Sequence, residues 1–197
     1  MTAPARTGLP ERTMRAGGGL RGRASLLVLN VLGGLAVLGS YAHGLATHPG
    51  MGDAVWGGVP LALRPLYTVN MLLAAAGYFA FSHFVFFRLD PRGTRIGARF
   101  GYGFFHVAYA LILIPSALWM PLTFAMLESP GPALWLSIRA VLALVGAGSL
   151  ALLFAVCVAG PADAPWSRRA AVAGALFFCL QTALLDALVW PAYFPAP

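Results

Sequence analysis

The sequence predicts an all-α, polytopic integral membrane protein: a bundle of five transmembrane helices with a cytoplasmic amino terminus and an outside carboxyl terminus. Three observations carry this. Hydrophobic residues make up 59% of the 197-residue chain and charged residues only 10%, whereas a soluble domain carries about 25% charged residues on its water-facing surface. Five apolar segments reach the ~20 residues a helix needs to cross a hydrocarbon core about 30 Å thick. The arginines, which supply all 13 basic side chains because there is no lysine, cluster in alternate connections.

Residues 1–23 form an arginine-rich tail of Gly, Pro and Thr that is expected to be disordered. A single membrane domain over residues 24–194 follows, with spans Ala24–Thr47, Tyr67–Phe87, Tyr102–Leu127, Ala133–Ala159 and Ala170–Tyr193. The breaks read "THPGMGD", "RLDPRGTR", "ESPGP" and "GPADAPWSRR", which is turn chemistry. A transmembrane barrel would show alternating strands of about 10 residues, and none is present. The stretch "RGRASLLVLNVLGGLAVLGSYAHGLA" also resembles a signal peptide, but its apolar run is long for one, and span one is the preferred reading.

Orientation follows the arginines. Arg6, Arg12, Arg15, Arg21 and Arg23 precede span one, Arg88, Arg92, Arg95 and Arg99 lie between spans two and three, and Arg168 and Arg169 precede span five. With five spans these regions share one side. The net charge of +7 therefore reads as a positive-inside signal, and no nucleic-acid partner is expected. The chain is assigned to a membrane as a multi-pass protein, the inner membrane in a bacterium.

The opposite connection, residues 49–65, is apolar for a loop: "MGDAVWGGVPLALRP". It is read as lying along the interface, where the Trp56 indole is well placed, or as a lid over a cavity. In span four, Ala143, Ala147, Ala151, Ala155 and Ala159 recur every fourth residue, and small residues are what bring membrane helices together. That ridge is a candidate contact within the chain, in a homo-oligomer or with a membrane partner. Gly33, Gly34, Ala36, Ser40 and Gly44 offer span one the same means. Pro115 and Pro121 each remove a helical bond in span three and crowd the carbonyls of Leu111 and Ala117, with Ser116 a local donor. Cys157 and Cys179, inside apolar runs, read as small buried hydrophobes.

Ionisable side chains within spans point to pairing or function. Asp186 is the carboxylate of span five. Counted from the turn between spans four and five, Arg139 lies about 31 Å of helical rise away and Asp186 about 25 Å, so an Arg139–Asp186 ion pair is expected. Thr182 and Trp190 lie one turn to either side of Asp186. His43, Arg64, Asn70, Glu128 and Trp56 gather at the same end, and with the pair they are expected to line an outward-facing pocket for a small amphipathic ligand. At the other end the hairpin of spans two and three sets His83 and His106 at one depth. Two imidazoles among aromatics could hold a b-type haem, with Arg92, Arg95 or Arg99 for its propionates.

Catalytic patterns are missing: the sequence has no GxSxG, HExxH, acidic pair or phosphate-cradling loop, and without lysine no Schiff base can form. The leading expectation is a non-enzymatic protein that binds or passes a small amphipathic ligand. The alternatives are a haem redox protein built on His83 and His106, and a structural or assembly subunit.

Overall fold

A computed structural model describes residues 9–97, 99–160 and 165–195, with side chains from Arg21 onward. Helix α1 runs Leu9–Thr47 and α2 Arg64–His83, which continues as a π-helical turn, Phe84–Arg88. Then come α3, Gly103–Glu128, α4, Pro132–Val158, and α5, Pro165–Cys179, which passes through a π-helix, Leu180–Val189, into the short α6, Trp190–Tyr193. The described residues contain no strand beyond one isolated bridge between Ile96 and Phe100. Five stretches are long and apolar enough to cross a membrane: Arg21–Thr47, Arg64–Arg88, Gly103–Glu128, Pro132–Val158 and Pro165–Tyr193. Helix α1 begins inside the stretch for which the sequence predicts disorder. Residues 1–8 of that tail, and residues 161–164 in the turn before α5, lie outside the described residues.

The helices pack in the spatial order α1, α3, α4, α5, α2, and the backbones of α1 and α2 stay apart. The result is a ring whose widest gap lies between the two amino-terminal helices, bridged toward the arginine-rich end by Tyr78 OH donating to Asn30 Oδ1 at 2.6 Å. Small residues set each contact. A Cβ on Gly174 of α5 would lie 2.6 Å from the Cα of Gly77 on α2, so the two backbones touch and only glycine fits. Gly33 and Gly44 seat α1 against Leu113, Met120 and Phe124 of α3, and Gly146 and Gly148 seat α4 against Ala183 and Leu111. This is the close packing that holds helices together where lipid removes the hydrophobic drive.

The alanine ridge of α4 divides along its length: Ala143 and Ala147 are exposed, whereas Ala155 and Ala159 are buried. A four-residue repeat drifts about 40° per step on a 3.6-residue helix, so one row cannot face one neighbour throughout. Helix α3 runs unbroken through Pro115 and Pro121. Cys157 and Cys179 are both free thiols.

Aromatic packing fills the arginine-rich end of the ring. Tyr78, Phe81 and Phe86 surround the fully buried Tyr109 in ring contacts of 6.0–6.3 Å. Phe178 packs on Tyr78 and Phe81 at 5.9 and 5.4 Å, and Ser82 meets the Tyr109 hydroxyl at 2.8 Å. At the opposite end the bundle stays open inside. There the loop from His48 to Leu63 crosses from α1 to α2 and is fastened to the carboxyl-terminal segment. Gly58 N–H donates to the Tyr193 carbonyl at 3.0 Å, and Trp190 Nε1 donates to the Val55 carbonyl at 3.0 Å. Gly57 has φ +58°, and a Cβ there would meet the Phe194 ring at 2.7 Å, so both conformation and contact require glycine. The loop also reaches into the bundle: Val59 is buried with Tyr67, Trp190 and Phe194, while Leu61 stays exposed.

Candidate functional site

The π-helix positions the site. On an ordinary α-helix, side chains five residues apart point about 140° away from each other. A π-helix closes its bonds from i to i+5, so such residues stack on one face. Gln181 and Asp186 stand in that relation, and Gln181 Nε2 donates to Asp186 Oδ1 at 2.8 Å. Gln181 Oε1 in turn accepts from Asn70 Nδ2 of α2 at 3.0 Å, and the same amide donates to the Phe177 carbonyl at 3.2 Å. Tyr67 OH donates to the Leu185 carbonyl at 2.9 Å. A buried relay therefore runs Asn70–Gln181–Asp186 across the α2–α5 contact and aims the carboxylate.

Asp186 faces a cavity of about 520 Å³ at the loop end of the bundle, within the range of roughly 300–1,000 Å³ usual for small-molecule sites. Its walls come from every long helix and are mostly apolar. Aromatic rings dominate: Tyr41 of α1, Tyr67 of α2, Trp119 of α3, Phe178 of α5 and Trp190 of α6, with Trp56 of the loop above. Tyr41 and Trp119 lie 5.6 Å apart, Trp119 and Trp190 5.8 Å, and Trp56 and Tyr67 5.9 Å between ring centroids. Phe178 closes the floor through its contacts with Tyr78 and Phe81. The loop residues Gly52, Val55 and Trp56 form the roof. Among the polar lining, Ser116, Gln181, Thr182 and Asp186 recur. Thr182 Oγ1 lies 2.8 Å from both Ser149 Oγ and the Phe178 carbonyl, so it is turned toward α4.

The Arg139–Asp186 pair is not formed. Arg139 is exposed on α4 with its guanidinium 6.0 Å from the Trp135 ring centroid, and Asp186 makes no ion pair among the described residues. Helical rise fixes depth but not azimuth. Ile138, beside Arg139, is fully buried, and the next residue turns about 100° away from that contact. His43 and Glu128 do not line the cavity either. His43 is exposed, and Glu128 pairs with His48 at 3.0 Å, where the imidazole stacks on Phe124. Arg64 sits on the rim, bonded to Asp53 at 3.1 Å and lying 5.4 Å from the Trp56 centroid. Of the residues expected in the pocket, Asp186 and Trp56 line it and Asn70 supports it from behind.

The two histidines at the other end do not converge. His83 is exposed beside Phe87, whereas His106 Nε2 lies 2.8 Å from Ser25 Oγ on α1. With one ring turned outward and the other toward α1, they do not form the opposed pair a haem iron needs. No group of three or more potential metal ligands occurs among the described residues.

Sequence reasoning missed Gln181, because α-helical spacing pairs Asp186 with Thr182 and Trp190 instead. The available signal was a second strongly polar side chain inside an apolar span. Tyr41, Tyr67, Trp119 and Trp190 were hidden for another reason: aromatics in spans are usual, and only tertiary structure gathers them. No family model, curated protein or solved structure matches the chain.

Proposed function

We propose that this is a membrane protein that binds, or lets pass, a small amphipathic ligand held in the aromatic cavity and loaded from the outer side. The observation that carries the reading is Asp186, a carboxylate placed by a buried relay against a 520 Å³ cavity between membrane-length helices. Polar groups in such positions are costly and mark binding or transport paths. The lining also fits: a few convergent polar atoms in an apolar, aromatic wall orient a ligand that is itself part apolar. The arginine distribution puts the loop end of the bundle outside, so entry is through the roof or the gap between α1 and α2. The aromatic packing below Phe178 favours binding, or alternating access, over an open pore.

The reading is tested by titrating the detergent-purified protein with small cationic, neutral and anionic amphiphiles while following the fluorescence of the cavity tryptophans. Trp135 and Trp166 are replaced by phenylalanine to remove background. The expected result is a saturable response that Ala75→Phe, which fills the cavity without adding an indole, abolishes in a protein that still elutes as a single folded species. No saturable response to any member of the set would refute it.

A further inference from the structure

The chemistry around Asp186 narrows the class of ligand. Its Oδ1 accepts from Gln181, while Oδ2 has no partner among the described residues and is not sealed from solvent. Gln181 is already committed to Asn70 through its own oxygen. Neither arginine at this end is available: Arg64 is engaged by Asp53, and Arg139 lies exposed beside Trp135. A carboxylate drawn out of water is stabilised by a cation or by taking up a proton, and a cationic ligand at the free Oδ2 would supply the first of these.

That charge is poorly supplied by a metal ion. Calcium takes six to eight oxygen ligands and magnesium near-octahedral geometry, and the site presents one carboxylate among aromatic rings. Rings are, however, what an organic cation needs, since the π faces of Trp and Tyr attract ammonium groups most strongly where water is excluded. Trp119 is the hinge of the arrangement, with Tyr41 on one side and Trp190 on the other, and Trp190 stands four residues beyond Asp186 on the same helical run.

We propose that the cavity selects organic cations: amphiphiles whose ammonium nitrogen sits between Asp186 Oδ2 and the Tyr41–Trp119–Trp190 rings, with their apolar body along the aliphatic walls of α2 and α4. This rests on the cavity being a ligand site at all, and the test separates the two. The probe is a phenylalkyl trimethylammonium ion, compared with its neutral tert-butyl isostere and with the sulfonate of the same length, each titrated against wild type and Asp186→Asn in a nonionic detergent. Taking the wild-type to variant ratio for each compound cancels partition into the micelle.

The expected result is that Asp186→Asn weakens the cation about tenfold or more, as loss of a desolvated charge partner would, and changes the isostere far less. Trp119→Leu is expected to weaken the cation selectively as well, which keeps the test available if the Asp186 variant does not fold. Binding of the isostere or the sulfonate as tight as the cation's, or equal losses for all three, overturns the cation proposal and leaves the ligand cavity standing. No binding by any compound removes both.

Discussion

At the scale of single residues, the relay Asn70–Gln181–Asp186 is the device that fixes the site. Each member alone is an ordinary polar side chain in an expensive place. Joined, they satisfy one another and hold the carboxylate at a definite angle. Hydrogen bonds between membrane helices contribute about 0.6 kcal/mol on average and up to about 1.7, so Gln181→Leu is expected to cost about 1 kcal/mol in unfolding from mixed micelles. The coupling is the sharper measurement. Asn70→Ala and Gln181→Leu remove the same bond, so the double variant is expected to cost less than the sum of the singles; strict additivity would show that the relay is not a unit. Asn70 was legible as a candidate because an amide in the first turns of a span is conspicuous. Gln181 was not, because the five-residue spacing that joins it to Asp186 puts two side chains on one face only in the widened helix.

At the scale of elements, the ring is held by places where side chains are absent. Gly77 and Gly174 let α2 and α5 touch along their backbones, and the Asn70–Gln181 bond crosses that same contact. Gly174→Leu is expected to cost at least the 1–3 kcal/mol typical of overpacking and to weaken ligand binding in parallel, as the α2 end of the relay moves off. A variant that unfolds like wild type would show that the crossing tolerates separation. The alanine row of α4 was legible as a packing feature that wraps around the helix, and what the sequence could not give is which half of it is covered. Its exposed half, Ala143 and Ala147, lies beside large exposed side chains such as Leu144 and Leu150, the composition of a lipid-facing surface. Helix α1 shows the same character, with Leu27, Leu32, Leu35 and Leu38 all more than half exposed.

At the scale of the molecule, span number and approximate limits were readable because length and apolar run obey bilayer thickness, which is a one-dimensional constraint. The order of packing was not, since it depends on azimuth, and the depth count for Arg139 failed on that point. Orientation is a prediction of charge bias alone. A single cysteine introduced at Gly50, in an otherwise cysteine-free chain, is expected to react with a membrane-impermeant maleimide in intact cells. One at Gly93 is expected to react only after lysis, and the reverse pattern would invert the topology.

The union of the His48–Leu63 loop with the carboxyl-terminal segment bears on how the protein is handled. Tyr193 and Phe194 hold the roof of the cavity through Gly57 and Gly58, so a purification handle or fluorescent reporter joined just beyond them pulls on the covering of the site. One placed before α1 hangs from the far end of the bundle. A fusion at the wrong end would disturb the cavity's covering in a protein whose helices are otherwise sound.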